Sequence, residues 1–298
     1  MAWTKATFTR ISEPDGIYLG EKNMIIDEID FSALYRAHLA RAARTAKTPE
    51  HWDKRAQKIA ENCAAPRDPY LEQFAAKMDF SGAQTLLDVG CGPGSVCLNV
   101  AAHFEQVYGI DYSEGMLDVA RRRAAAMGVT HATFIHCAWE DDWSGLPECD
   151  IAVASRSTLV MDLEQALYKL NQQARMRVYT THTVSPTFVD PRILSAIGRT
   201  SASLPNYIYA VNILYRMGIH AKVDFIRGPN CQGQIETFER FAQGVAWSLG
   251  GLSESEMLSL KDYYNQHRHD DLPFVSPTRD WAFVFWDTVA LRRPFASS

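Results

Sequence analysis

The stretch Leu86 to Ser95, LLDVGCGPGS, constrains this chain more than any other. Thr85 to Val89 is a short run suited to a strand, broken only by Asp88, and an amphipathic segment begins after the glycines. Between the two stand Gly90, Gly92 and Gly94. A strand, a glycine loop and a helix in that order let the backbone approach a ligand closely and turn free N–H groups at the helix start toward it. A nucleotide-like ligand is the natural occupant.

Asp111 follows Gly90 by 21 residues, at the end of a second strand-like run, Val107 to Ile110. An acid at that place accepts hydrogen bonds from both ribose hydroxyls of an adenosine. The dinucleotide fingerprint wants a third glycine at position 95, where this chain has Ser95. Asp88 beside the loop opposes a pyrophosphate and suits a cationic ligand. From Thr85 onward strands alternate with helices, at 85–89, 107–110, 132–136, 151–154 and 177–181, with later strands at 219–226 and 281–286. The pattern predicts an α/β, Rossmann-like, seven-stranded and mostly parallel sheet with helices on both faces. Helices inserted between the last two strands are placed to cover a ligand site.

Three amphipathic segments precede the sheet, introduced by Asp30, Thr48-Pro49 and Asp68-Pro69, each a cap or a cap with a first-turn proline. Earlier still, Glu13 to Gly16 reads as a turn between two extended pieces. The expected layout is an N-terminal helical cap over 1–80, a main domain over 81–290 with insertions near 185–218 and 228–278, and a frayed tail at 291–298.

A net charge of −5 and an isoelectric point near 6.0 give no general attraction to nucleic acid or to an anionic membrane. The six cysteines, Cys63, Cys91, Cys97, Cys137, Cys149 and Cys231, form no CxxC pair and no zinc-type spacing, so reduced thiols and a cytoplasmic location are expected, without a bound metal. No run of about 18 apolar residues offers a membrane span.

With these residues in hand, LLDVGCGPG followed by VYGIDYSEGML at Val107 to Leu117 resembles the class I S-adenosylmethionine (SAM)-dependent methyltransferases, of small-molecule type, over roughly Gln84 to Thr183. The resemblance implies SAM as cofactor and S-adenosylhomocysteine as product. It implies that the loop from Asp88 through Gly90, Gly92 and Gly94 holds the methionine end and that Asp111 binds the ribose. Tyr112 and Met116 would then lie near the adenine, with Cys137, Ala138 and Trp139 completing its pocket. Cys137 stands where an acid is frequent, with Glu140 or Asp141 as substitutes. Trp52 and Arg55 resemble a cap element folded over the cofactor in some relatives; the plainer reading is a core tryptophan and a solvated charge.

In open parallel sheets ligands lie beyond the carboxyl ends of the strands, which directs attention to Ser155, Arg156 and Ser157 and to His182 and Thr183. Ser155 is a further cofactor candidate. The [Asn/Asp]-Pro-Pro-[Tyr/Phe] motif of many methyltransferases acting on base or amide nitrogen is absent, which with the acidic charge argues against a DNA substrate. Arg156 is either a clamp for a carboxylate or phosphate or a surface partner of Asp162. His182 is either a general base or a loop histidine satisfied by its neighbours. Tyr207 and Asn212 either line an acceptor pocket or belong to a buried helix. His267 to Asp271 reads as a solvated charge run, and Arg121 to Arg123 as a complement to a helix dipole. The function expected is methyl transfer from SAM to a small-molecule acceptor, the alternatives being an NAD(P)-dependent oxidoreductase and a non-catalytic SAM-binding regulatory protein.

Overall fold

The computed structural model describes residues 25–42, 48–62, 68–200, 203–229, 236–249, 251–270 and 278–290. The expected turn at Glu13 to Gly16, Cys63, Cys231, Asp271 and the tail lie outside them, as does the side chain of Arg55. Residues up to Asp30 group as one unit, of which a single 3-10 turn, Ile26–Glu28, is described; Phe31 onward forms the other.

The second unit is built on seven strands: β1 (Thr85–Val89), β2 (Gln106–Asp111), β3 (Ala132–His136), β4 (Cys149–Ala154), β5 (Ala174–Thr183), β6 (Lys222–Pro229) and β7 (Thr278–Asp287). They lie in the order β3-β2-β1-β4-β5-β7-β6. Only β7 runs against its neighbours, so the sheet is mixed but mostly parallel. β1 lies inside the sheet, with β2 on one side and β4 on the other, and the strand order reverses there. Leu86 and Leu87 point to opposite faces and are both fully buried, which explains why β1 reads as a continuous apolar run.

Around the sheet lie α1 (Phe31–Arg41), α2 (Pro49–Asn62), α3 (Pro69–Ala76), α4 (Ser95–Val100), α5 (Glu114–Ala126), α6 (Leu163–Gln173), α7 (Pro191–Ala196), α8 (Tyr207–Arg216), α9 (Phe238–Leu249) and α10 (Glu254–His267). One face of the sheet, through Leu87, Val89, Val178 and Trp286, packs on Leu39 of α1, Leu167 of α6 and Ile213 of α8. The other, through Leu86, Val107, Ile151 and Phe283, packs on Phe74 of α3 and Val96 of α4. Alternation along each strand assigns the two sets. α7, α9 and α10 share a separate apolar cluster around Phe241 and Leu260. The caps act as their residue types require: Asp68 accepts from Tyr70 N, Ser113 from Met116 N, and Asp162 from Gln165 N.

Beyond shifts of a few residues at element ends, some details differ from the sequence expectation. α7 has no counterpart in it, β6 starts at Lys222 rather than Ile219, and β5 runs on to Thr183 rather than stopping at Thr181. The last difference takes His182 out of a loop and into the sheet, paired with Ala282 of β7.

Gly109 in β2 shows how tightly this layer is built. A Cβ there would lie 2.9 Å from both Cys91 Sγ and Phe134 Cδ1. Gly109→Ala is therefore expected to cost about 2 kcal/mol of stability through overpacking, read by denaturant titration. An unchanged midpoint would show that Cys91 and Phe134 have room to retreat.

Candidate cofactor and acceptor site

The glycine loop leaves β1 at Val89 and enters α4 at Ser95. Gly90, Gly92 and Gly94 all have positive φ, 66°, 54° and 70°. At Gly90 a side chain would strike Ser157, whereas the space beside Gly92 is open to 4 Å, so the loop backbone can receive a ligand there. Gly94 is the αL residue before α4, and a Cβ there would strike Leu98 and touch Ala120. Arg123 donates to Pro93 O at 2.6 Å and braces the loop from α5.

Two acids flank the loop. Asp111 is buried at the end of β2; its Oδ2 accepts from Gly92 N at 2.8 Å and its Oδ1 from Ser113 N at 2.9 Å. Burial raises its pKa even though these backbone donors oppose the shift. Asp88 is 1 % exposed and accepts from Cys97 N at 3.1 Å. Burial first, with repulsion from Asp111 adding to it, pushes Asp88 up to about 7. Such an acid is poised to ionise beside a cationic ligand. An open backbone face at Gly92 flanked by two buried acids fits a cationic cofactor such as SAM and does not fit a pyrophosphate.

The turn after β3 carries the other cofactor candidates. Cys137 is buried, with its N–H donating to Asp111 O at 3.0 Å. Ala138 N donates to Asp141 Oδ2 at 2.8 Å, so Asp141 rather than the exposed Glu140 is the acid that folds back on this turn. Trp139 is half-buried against Trp143, and Lys169 Nζ holds the turn through Trp139 O at 2.7 Å and Asp141 O at 2.6 Å. Tyr112 is half-buried, and Met116 lies in a cluster with Ala56, Val119 and Trp52. Trp52 thus packs on α5, while also meeting Trp247 of α9 edge to face.

Beyond β4 and β5 the structure assembles groups that sequence spacing did not join. Tyr70, fully buried on α3, shares hydrogen bonds with Ser155 Oγ at 2.7 Å and Thr181 Oγ1 at 2.9 Å. Arg156 has φ 59°, unusual for a residue with a side chain, and its guanidinium sits 4.2 Å above the Tyr70 ring. Its N–H is fixed by Thr181 Oγ1 at 2.9 Å. Asp162, its expected surface partner, faces Arg36 instead at 3.8 Å, so the guanidinium edge of Arg156 meets no carboxylate among the described residues.

The general-base expectation for His182 meets a physical obstacle. The ring is 5 % exposed, held between Thr158 Oγ1 at 3.1 Å and Thr180 Oγ1 at 2.9 Å, and burial lowers its pKa to about 3. A histidine so poor at taking a proton, and committed at both nitrogens, is a structural group of the sheet. Tyr207 is half-buried and stands edge to face with Phe225. Asn212 is also half-buried and donates to Ile208 O one turn back at 2.8 Å. His267 pairs with Asp270 at 2.9 Å, and no metal-binding group of three ligands occurs among the described residues. Arg121 pairs with Glu114 and Asp118, while Arg123 stands in the last turn of α5, where a cation complements the helix dipole.

Residues 86–176 match a family profile described as a methyltransferase domain. A protein of Haemophilus influenzae described as uncharacterized is 37% identical over 264 residues, 89% of this chain and 98% of that protein. A demethylmenaquinone methyltransferase of Symbiobacterium thermophilum is 40% identical over 80 residues, 23% of this chain and 32% of that enzyme. The crystal structure of a candidate methyltransferase of Bacillus halodurans shares the fold, with a TM-score of 0.52 at 12% identity, covering 74% of this chain and 99% of that one. No helix among the described residues is long and apolar enough to cross a membrane. A domain match that takes in the glycine loop and a shared sheet converge on one reading: residues 86–176 are a SAM-dependent methyltransferase domain on the class I fold, with SAM as its cofactor.

Proposed function

We propose that the methyl acceptor is a small molecule, received in a walled space beyond the carboxyl ends of β4 and β5. The observation that supports this reading is that α1, the segment leading into α8, the loop after β4 and the end of β5 are tied together by side-chain hydrogen bonds. Tyr35 OH of α1 donates to Val160 O at 2.7 Å, His38 of α1 meets Ser203 Oγ at 2.7 Å and Tyr209 OH at 3.0 Å, and Thr183 Oγ1 donates to Pro205 O at 3.0 Å. Walls tied together by side chains suit an acceptor that enters whole and loses its water, not a polymer threaded across an open face.

When bound, SAM supplies a methyl group on a sulfonium, an electrophile that needs in-line approach by a nucleophile. On this reading Asp111 holds the ribose, Asp88 and the Gly90 to Gly94 backbone hold the methionine end, and Ser155 lies next to it. Tyr112, Met116, Cys137, Ala138 and Trp139 surround the adenine, with Trp52 and Arg55 on the covering helix. Arg156 orients an anionic group of the acceptor, while Tyr207 and Asn212 lie along its wall.

Incubating purified enzyme and SAM labelled at the methyl group with a cell extract tests the acceptor class. Label is expected in low-mass products; label confined to protein or RNA overturns the reading. For the cofactor half, Asp111→Asn is expected to weaken S-adenosylhomocysteine binding roughly tenfold or more, because one of two charged acceptor oxygens becomes an amide. Calorimetry giving equal affinities would remove Asp111 from the ribose.

A further inference from the structure

Asp53 has no role in the site as described so far, yet it reaches that site in one step. Its Oδ1 accepts from Ser113 Oγ at 2.6 Å and from Gly115 N at 3.0 Å, across 60 residues of sequence in the first case. Ser113 is the residue whose N–H holds Asp111 Oδ1. The same hydroxyl accepts from Met116 N at 3.2 Å, so its proton is free to go to Asp53 and its rotamer is set from both sides. Asp111 in turn holds Gly92 N. A continuous line of hydrogen bonds therefore runs from α2 through Ser113 and Asp111 to the glycine loop.

The approach of the two helices is fitted to this contact. A Cβ on Gly115 would lie 3.0 Å from Asp53 Cα, so α2 and α5 touch nearly backbone to backbone at this point. Next to it Trp52 and Ala56 pack on Met116 and Val119, and a carboxylate at the start of α5 complements the helix dipole.

We propose that Asp53 is a positioning residue for SAM: from the covering helix α2 it fixes Ser113, and through Ser113 it holds Asp111 in the pose that receives the ribose hydroxyls. This rests on the reading of Asp111 as the ribose acid. It makes cofactor affinity depend on whether α2 is docked.

Calorimetry on the full chain tests it, with S-adenosylhomocysteine and 5′-methylthioadenosine as probes; the second keeps the ribose but lacks the amino acid. Asp53→Ala is expected to weaken both by the same factor, about five- to tenfold. Asp53→Asn, whose amide oxygen still accepts from Ser113 and Gly115, is expected to stay within about twofold of wild type. In a Ser113→Ala background Asp53→Ala is expected to add little, because the relay is already cut. Full multiplication of the two effects, or an Asp53→Ala protein that binds S-adenosylhomocysteine as wild type does, overturns the proposal. Apo melting curves confirm that each variant is folded. If Asp111→Asn binds like wild type, the reading of Asp111 fails and Asp53 falls with it; if Asp111→Asn is weak and Asp53→Ala is not, only the Asp53 proposal fails.

Discussion

Gly90→Ala is expected to lower stability by about 3 kcal/mol and to weaken S-adenosylhomocysteine binding at least tenfold. Two costs add at this position. The backbone has φ 66°, a region that charges any residue with a Cβ about 1 to 2 kcal/mol. The new Cβ would also stand 2.5 Å from Ser157 Cβ and 2.9 Å from Ser157 Oγ, and Ser157 cannot simply swing away because its hydroxyl holds Val89 O at 2.7 Å. Either the glycine loop lifts off β1 or the segment after β4 moves, and both border the proposed cofactor site. For a chain of this size the stability change corresponds to a melting shift of roughly 6 to 10 °C. Ser157→Ala loses the hydroxyl clash and its tether but keeps the closer Cβ, and is expected to return only a small part of the steric cost. Ser157→Gly removes it and is expected to return the steric part but not the φ part. A Gly90→Ala protein that melts with wild type would mean that the loop is looser than these distances say.

What the sequence made legible was whatever is written in local order. The run from β1 through the glycines into α4, the acid at the end of β2, and the caps at Asp68, Ser113 and Asp162 each need only a few neighbouring residues, and each stands where the sequence put it. The end of β5 was harder. Val178, Thr180 and His182 alternate with Tyr179, Thr181 and Thr183, a pattern in which the threonines read as turn-forming polar residues or as β-branched strand residues. Pairing with β7, from Arg177↔Asp287 through Thr183↔Trp281, decides for strand, and that partner lies about a hundred residues away. Separations of 85 and 60 residues likewise hid Tyr70 from Ser155 and Asp53 from Ser113. The signal that existed was the Asp68-Pro69-Tyr70 cap, which fixes where Tyr70 starts its helix but not what its hydroxyl meets. Backbone conformation at Arg156 leaves no trace in composition either, since a positive φ outside glycine is imposed by its surroundings.

Asp88 is expected to give the protein opposite pH dependences with and without its cofactor. Its folded pKa of about 7 lies well above the ordinary carboxylate value of 3.8. Between those two values the folded protein keeps a proton that the unfolded chain has released, so stability falls as pH rises through the window, by a few kcal/mol at most. His182 works the other way: lowered to about 3 from 6.5, it stays neutral in the fold while the unfolded chain is protonated, so its contribution rises with pH until about 6.5. A wild-type curve alone mixes the two, and the difference between wild type and Asp88→Asn isolates the carboxyl. That difference is expected to shrink in favour of the asparagine variant from about pH 4.5 to 7.5 in denaturant titrations. Ligand binding has the reverse sign. A methionine-type ammonium favours the ionised carboxylate, so S-adenosylhomocysteine affinity is expected to rise by up to about tenfold between pH 5.5 and 7.5 in wild type and to stay level in Asp88→Asn. Cys97, whose N–H is the backbone donor to Asp88, remains in both proteins, and the burial that raises its thiol pKa well above the usual range keeps it neutral throughout this window. Equal slopes in the two proteins would assign the titration to another group, with Asp111, also raised by burial, the next to replace.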